Sequence, residues 1–189
     1  MNPTTENTAS ELLSLDDPFF SPSPDSSGSE APSESPLEDE DNKVETHAVG
    51  ELIKSESADF TVKKIEDLKT IQSTFGPALK AKPGKKLWLL KVRWKNNTKE
   101  AALGACFGPS NVQLRVYDID GVEMLGDDES VHIKGNDCDT GLMKGETGTW
   151  LKAFHGTKAD FGWAVFEDYK GENSYVTLDP DLQLERVTE

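Results

Sequence analysis

The chain has 189 residues and a formal net charge of −15. Most of that charge lies in residues 1–50, which contain 12 acidic residues and one lysine, whereas residues 51–189 contain 23 acidic and 19 basic residues. A strongly negative chain opposes the binding of nucleic acid, and no apolar run approaches the ~20 residues needed to span a bilayer. We therefore expect no nucleic-acid partner and no transmembrane segment.

Residues 1–56 are rich in Ser, Pro, Glu and Asp and contain no Trp, Tyr or Cys. Such a segment buries too little apolar area to offset its ordering entropy, so the sequence predicts a disordered acidic tail or spacer. The first residues are acidic where a secretory signal is basic, and no Cys precedes Cys106. We expect neither an export signal nor a lipid-attachment cysteine in this chain.

One stretch of the tail, ELLSLDDPFF, combines bulky apolar residues with acidic ones. That mixture is typical of short motifs that fold on a partner, although a chance cluster in a solvated spacer has the same composition. The candidate docking residues are Leu12, Leu13, Leu15, Phe19 and Phe20.

From residue 57 to 187 the apolar residues alternate with polar ones. ADFTVKKI predicts a first strand, and IEDLKTIQ (65–72) is expected to form a turn or short helix. The stretch KKLWLLKVRWKNNTKE places its tryptophans on one side, opposite a row of cations. Bases stack on aromatic rings that share a face with positive charge, so this segregation predicts a core strand with a wet basic side. The inward residues are Trp88, Leu90, Val92 and Trp94; Lys91, Arg93 and Lys95 form a candidate interaction face.

The later segments continue the pattern. NVQLRVYDIDG predicts a strand with Val112, Leu114 and Val116 inward, followed by a turn at Asp120-Gly121. VEML, ETGTWLKAF, DFGWAVF, SYVTLDP and DLQLERV follow as short strands separated by Gly and Pro. Short strands separated by Gly and Pro predict an all-β, antiparallel, immunoglobulin-like β-sandwich over residues 57–187.

Two cysteines, Cys106 and Cys138, allow three interpretations. They are unpaired thiols in a reducing compartment, a disulfide in an oxidising one, or part of a metal site, which needs more ligands. A disulfide would close a loop of about 32 residues and contribute roughly 3–4 kcal/mol.

No catalytic, cofactor-binding or metal-binding residue is predicted. His47, His132 and His155 are isolated in sequence. YDIDG (Asp118, Asp120) and GNDCDTG (Asn136, Asp137, Asp139) have oxygen ligands at alternate positions, as calcium loops do. Because Val122 and Glu123 occupy the positions where an EF-hand needs its third ligand and Gly, turn formation explains these residues better.

Three segments carry a resemblance to a known family. GKKLWLLKVRWKNNTKE, NVQLRVYDIDGVEM and GLMKGETGTWLKAF are similar, in order, to segments of bacterial telokin-like, immunoglobulin-like domains of the immunoprotective extracellular antigen type. The similarity covers roughly residues 57–185 and rests on structural motifs. The resemblance implies a surface or secreted sandwich of unknown function, often attached through a lipoprotein anchor.

We therefore expect a non-enzymatic surface or secreted binding module, with an unknown protein or surface ligand, held on an acidic spacer. The alternative is an intracellular adaptor that recruits a partner through ELLSLDDPFF. A small hydrolase or metal enzyme is the least favoured hypothesis. Compartment, ligand and oligomeric state stay open at this level.

Overall fold

The computed structural model describes residues 44–139, 141–182 and 184. The candidate docking motif and most of the predicted tail lie outside these residues. The described part of the chain forms eleven strands and two short 3₁₀ turns, Ala105–Phe107 and Asp128–His132. The strands are β1 (Thr46–Ala48), β2 (Ile53–Lys54), β3 (Ala58–Asp67), β4 (Thr70–Ile71), β5 (Leu79–Lys80), β6 (Leu87–Asn96), β7 (Val112–Asp118), β8 (Leu125–Gly126), β9 (Thr147–His155), β10 (Phe161–Asp168) and β11 (Ser174–Thr177).

The strands form the predicted antiparallel sandwich. One sheet has four strands in the order β1-β11-β10-β7, and the other has five in the order β2-β3-β6-β9-β8; β4 and β5 form a separate pair. The one parallel pairing among the described strands joins β1 to β11. Both β1 and β2 precede residue 57, so the chain enters both sheets before the point where the sequence placed the start of the domain.

The core confirms the two-residue periodicity of β6. Trp88, Leu90, Val92 and Trp94 are all buried, and Trp94 is only 1% exposed. They face Val116, Ala164, Phe166 and Val176 of the opposite sheet. Burial of each such side chain is worth about 1.5–3 kcal/mol, and the cations of β6 are left on the outer side of the sheet.

A second apolar cluster lies on the outer side of the five-stranded sheet. Leu87, Leu151 and Ala153 are buried there beneath Ile71 and Ile133. The β4–β5 hairpin and the loop around Ile133 thus cover part of this sheet. Because these segments cover Leu151 and Ala153, β9 carries apolar residues on both of its sides.

The turn or helix predicted for IEDLKTIQ is wrong, because the segment is extended and supplies the end of β3 and all of β4. The Leu68 amide donates to the Leu87 carbonyl at 2.8 Å, and the Ala81 amide donates to the Lys69 carbonyl at 3.0 Å. Hydrogen bonds to other strands thus satisfy the backbone N–H and C=O groups that a helix would pair within the segment.

The turn predicted at Asp120-Gly121 is present, with Gly121 at a φ of 78°. The chain then makes one bridge, between Tyr117 and Glu123, and crosses to the five-stranded sheet as β8 instead of completing a hairpin. No helix in the described part of the chain is long and apolar enough to cross a bilayer.

Candidate interaction surface

The predicted basic face lies where the sequence placed it, on the outer side of the five-stranded sheet. Lys91 and Arg93 are exposed. Lys95 makes an ion pair with Asp59 at 3.4 Å, and Arg93 donates to the Thr147 hydroxyl at 2.8 Å. Lys64 lies beside Lys91 in the register. No aromatic residue belongs to this face, which as an interaction site stays a prediction.

A group of partly exposed aromatic residues lies on the other side of the sandwich, whereas the exposed Phe75 and Phe107 lie elsewhere, Phe75 beside His132. The chain has four tryptophans and three tyrosines. Three tryptophans are buried in the core. The fourth, Trp163, and all three tyrosines lie on or beside the outer side of the four-stranded sheet. We call the surface formed by Tyr117, Trp163, Tyr175 and Arg115 the aromatic face.

A bulge places Trp163 on this face. The register between β10 and β7 shifts between Phe161 and Trp163, so that Phe161 joins the core while Trp163 points outward beside Tyr117. Gly162 lies at the shift, where an added Cβ would sit 2.4 Å from the Asp118 carbonyl oxygen. The backbones therefore approach too closely for any larger residue.

The rings of the aromatic face are ordered by packing and charge. Tyr117 and Trp163 stack with ring centroids 5.2 Å apart and an interplanar angle of 17°. The Arg115 guanidinium lies 5.5 Å from the Tyr117 ring centroid, within the range of a cation–π contact. Burial raises the pKa of the Tyr117 phenol, which is therefore neutral at physiological pH and available as a hydrogen-bond donor.

Two carboxylates hold Arg115 in this position. Its guanidinium donates to Glu123 at 2.7 and 3.0 Å and to Glu167 at 3.1 Å. The hydrogen bond from Arg115 lowers the pKa of Glu123. A planar guanidinium bound at both ends loses little further entropy when a ligand packs on it.

A groove of about 1050 Å³ continues from Tyr175 around the edge of the sandwich. The loop between β10 and β11 and the first residues of β11, together with residues of β1 and β2 and their neighbours, form its walls. Three glutamates, Glu45, Glu56 and Glu172, line it together with His47, Lys54 and Tyr175. The groove therefore joins the aromatic face to an acidic edge.

A buried carboxylate, Asp168, bonds to Ser55, one of the residues that line the groove. Asp168 is 4% exposed and accepts hydrogen bonds from the Ser55 hydroxyl at 2.7 Å, from the Ser57 amide at 2.8 Å and hydroxyl at 2.7 Å, and from the Lys170 amide at 3.0 Å. Burial alone would raise the pKa of Asp168, but these hydrogen bonds hold it below its ordinary value. The network ties β2 and β3 to the end of β10.

One residue of each acidic sequence motif, Asp118 and Asn136, has a structural role. The Asp118 carboxylate accepts from the Asp120 and Val122 amides at 3.1 and 2.9 Å and from the Thr157 hydroxyl at 2.6 Å. Asn136 bonds both backbone groups of Leu151 at the edge of β9. Among the described residues, no group of three or more His, Cys, Asp or Glu side chains is arranged to hold a metal ion.

The three histidines lie apart from one another. His47 is 3.7 Å from Glu51, and His132 is 3.8 Å from Glu129. The His155 Nε2 lies 2.8 Å from the Asp127 carboxylate in a mostly buried pair. These contacts pair each imidazole with a neighbouring carboxylate.

The two cysteines are brought together. Their Sγ atoms lie 2.11 Å apart and their Cα atoms 5.0 Å apart, which is disulfide geometry. Cys106 belongs to the first 3₁₀ turn, and its amide donates to the Asp137 carbonyl at 2.7 Å. The link fastens the loop that covers the edge of β9.

Comparison with known proteins fixes the fold. No family model and no curated protein matches the chain. MPT63, a secreted protein from Mycobacterium tuberculosis, matches it with a TM-score of 0.51 over 70% of this chain and 95% of that one, at 10% identity. The two chains share one fold. This match confirms the predicted antiparallel immunoglobulin-like sandwich, and it confirms the resemblance to immunoprotective extracellular antigens at the level of fold.

Two further solved structures are similar. An uncharacterized β-sandwich protein from Clostridium difficile 630 is 16% identical, with a TM-score of 0.49 over 71% of this chain and 95% of that one. A conserved hypothetical protein from Bacillus anthracis is 16% identical, with a TM-score of 0.48 over 71% and 96% of the two chains. Neither these two proteins nor MPT63 is named as an enzyme.

The aromatic face is not predicted from the sequence. DFGWAVF indicates a strand, but the bulge that separates Phe161 from Trp163 leaves no trace in the alternation. The signal available in the sequence was compositional, because Tyr117, Tyr169 and Tyr175 all follow Trp94, in the second half of the chain. Residues with an apolar body and a polar tip often lie at interfaces.

Proposed function

We propose that this protein is a non-enzymatic binding module that acts outside the cell or on its surface and binds a protein ligand through the aromatic face. The observation that carries the proposal is the sorting of the aromatic residues. Three tryptophans are in the core, whereas Trp163 and the tyrosines gather on one outer sheet surface beside Arg115. Trp, Tyr and Arg are the residues in which protein–protein binding energy is concentrated.

The geometry of the face supports this role. Val165, at its centre, is 4% exposed and lies between Arg115 and Tyr175 in the register. The larger side chains therefore shield it and present a continuous surface. Rigid aromatic side chains lose little conformational entropy when a ligand binds.

An oxidising compartment is supported by the cysteine pair. A disulfide such as the Cys106–Cys138 pair persists in extracellular or cell-surface proteins and is rare in the reducing cytosol. MPT63, which shares the fold, is a secreted protein. Both facts favour the exported module.

A binding role is also favoured by how the polar groups are used. The carboxylates of Asp118 and Asp168 are occupied by hydrogen bonds that hold turns and strands together. His155 pairs with Asp127 beside the short strand β8. Each of these groups has a structural partner, and the buried Nδ1 of His155 makes no hydrogen bond within the described residues.

The test compares the two outer faces of the full chain. Immobilised peptides of basic, acidic and neutral charge serve as probes, and affinity is read for the parent and for two double variants. We expect Trp163→Ala with Tyr175→Ala to weaken the tightest interaction at least tenfold, because hot-spot truncations cost about 2 kcal/mol or more. Lys91→Ala with Arg93→Ala is the matched control and should stay within twofold. Loss confined to the basic-face variant, or equal binding by all three proteins, would refute the proposal.

A further inference from the structure

We infer that the partner of the aromatic face is a basic polypeptide segment, whose Lys or Arg side chains enter the groove beside Tyr175. This inference rests on the proposed function and specifies the ligand. It follows from the charges around the face, from the ring chemistry and from the contrast between the two sides of the sandwich.

The three glutamates at the acidic edge of the groove outnumber its cations. Glu45, Glu56 and Glu172 make no ion pair within the described residues, and Lys54 is the one lysine or arginine among the groove-lining residues there. On the aromatic face itself, the Arg115 guanidinium is shared by two carboxylates, Glu123 and Glu167. Both parts of the surface therefore carry a net negative charge that a cationic ligand would neutralise.

The rings add a second attraction for cations. The face of an aromatic ring attracts Lys and Arg, most strongly where water is excluded. Arg115 already lies against Tyr117, so the chain itself shows this contact on the surface in question. Tyr175 lies on the groove side, and its hydroxyl makes no hydrogen bond within the described residues, which leaves it available to a ligand.

The two outer faces of the sandwich differ in sign. Lys63, Lys64, Lys91 and Arg93 are exposed on the five-stranded side, opposite the acidic and aromatic surface. An acidic partner would be attracted to the five-stranded side but repelled by the glutamates of the groove. The net charge of −15 for the whole chain also favours the approach of a basic ligand over that of an acidic one.

A basic peptide is a better occupant than a single small cation. The groove volume of about 1050 Å³ slightly exceeds the roughly 300–1,000 Å³ typical of small-molecule pockets. It opens onto the aromatic face through Tyr175, so that a chain lying across both would place successive side chains on the rings and among the glutamates. A second copy of this protein, offering its basic face, is the competing occupant.

The experiment titrates the full chain with a lysine- and arginine-rich decapeptide and, separately, with neutral and acidic decapeptides of equal length. Calorimetry gives the affinity, and ¹⁵N chemical shifts, including the Trp163 indole, locate the site. The groove variant combines Glu45→Gln, Glu56→Gln and Glu172→Gln. The charge-matched control combines Asp128→Asn, Glu129→Gln and Asp139→Asn near the opposite edge. Both variants therefore lose three negative charges, and both keep the N-terminal segment intact.

We expect the basic peptide to bind and to shift Trp163 and Tyr175. The groove variant should lose about tenfold in affinity, as three partly solvated ion pairs imply, while the control loses less than twofold. Tyr175→Ala should lose a similar factor, with its melting temperature showing that it is folded.

Three results would overturn the inference. If both charge variants weaken binding equally, the peptide binds elsewhere through general attraction. If a neutral or acidic peptide shifts Trp163 and the basic one does not, the ligand class is wrong while the proposed function stands; if no peptide shifts Trp163, the proposed function fails as well. If sedimentation shows salt-sensitive self-association that Lys91→Ala abolishes, the occupant is a second copy.

Discussion

The Asp168 network offers a prediction whose size follows from geometry. In Asp168→Asn, an amide group replaces one carboxylate oxygen and presents hydrogens to two of the four groups that now donate to Asp168. Two hydrogen bonds are lost, one from a serine hydroxyl, which can turn and accept from the new amide, and one from a backbone amide, of Ser57 or Lys170, which cannot. At roughly 1–3 kcal/mol for one unsatisfied amide, the expected loss is about 2 kcal/mol, or roughly 7 °C in melting temperature for a domain of this size.

The assay is urea unfolding of the full chain followed by the fluorescence of the buried tryptophans. Because the folded pKa of Asp168 is lowered, its contribution to stability is present above the unfolded pKa of about 3.9 and is lost as the pH falls through the folded value. The difference between parent and variant should therefore shrink in acid. Asp128→Asn, an exposed carboxylate, is the control and should change stability by less than about 0.5 kcal/mol.

A loss below about 1 kcal/mol for Asp168→Asn at neutral pH would contradict this expectation, because it would mean that the two lost hydrogen bonds are replaced by water at no cost. A difference that does not shrink in acid would show that the ionised form of Asp168 is not the stabilising one.

Three other predictions concern the core and the surface. Replacing Cys106 and Cys138 by Ser should cost about 4 kcal/mol by the loop-closure model, measured by urea unfolding; an unchanged midpoint would mean that no disulfide forms. Gly148→Ala should destabilise by more than about 2 kcal/mol, since its Cβ would lie 2.2 Å from that of Ala105; near-parent thermal stability would contradict this packing. Trp163→Ala should cost less stability than the roughly 3–5 kcal/mol of a core tryptophan and should remove most acrylamide-accessible fluorescence; unchanged quenching would place Trp163 in the interior.

The regular strands could be predicted because one side of each is buried. In β6, the alternation of Trp88, Leu90, Val92 and Trp94 determines which side faces the core. In β9 the same rule is insufficient, because Leu151 and Ala153 are covered by loops that lie far away in sequence. The segment 65–72 was misassigned for the same reason, since Leu87 provides its backbone partner from the next long strand.

The candidate surface was less accessible to sequence reasoning. The bulge beside Trp163 results from the close approach of Gly162 to Asp118, a tertiary contact with no local signature. The bond between Asp168 and Ser57 spans 111 residues. The basic face could be recognised because its cations alternate with apolar residues in one strand, whereas the aromatic face takes one aromatic residue from each of three strands.

We propose that the aromatic face, and not the basic face, binds the ligand. The most direct measurement is the affinity of the full chain for its tightest peptide probe, determined side by side for the Trp163→Ala/Tyr175→Ala and the Lys91→Ala/Arg93→Ala proteins. The account predicts at least a tenfold loss for the first and less than twofold for the second. The reverse order would contradict it.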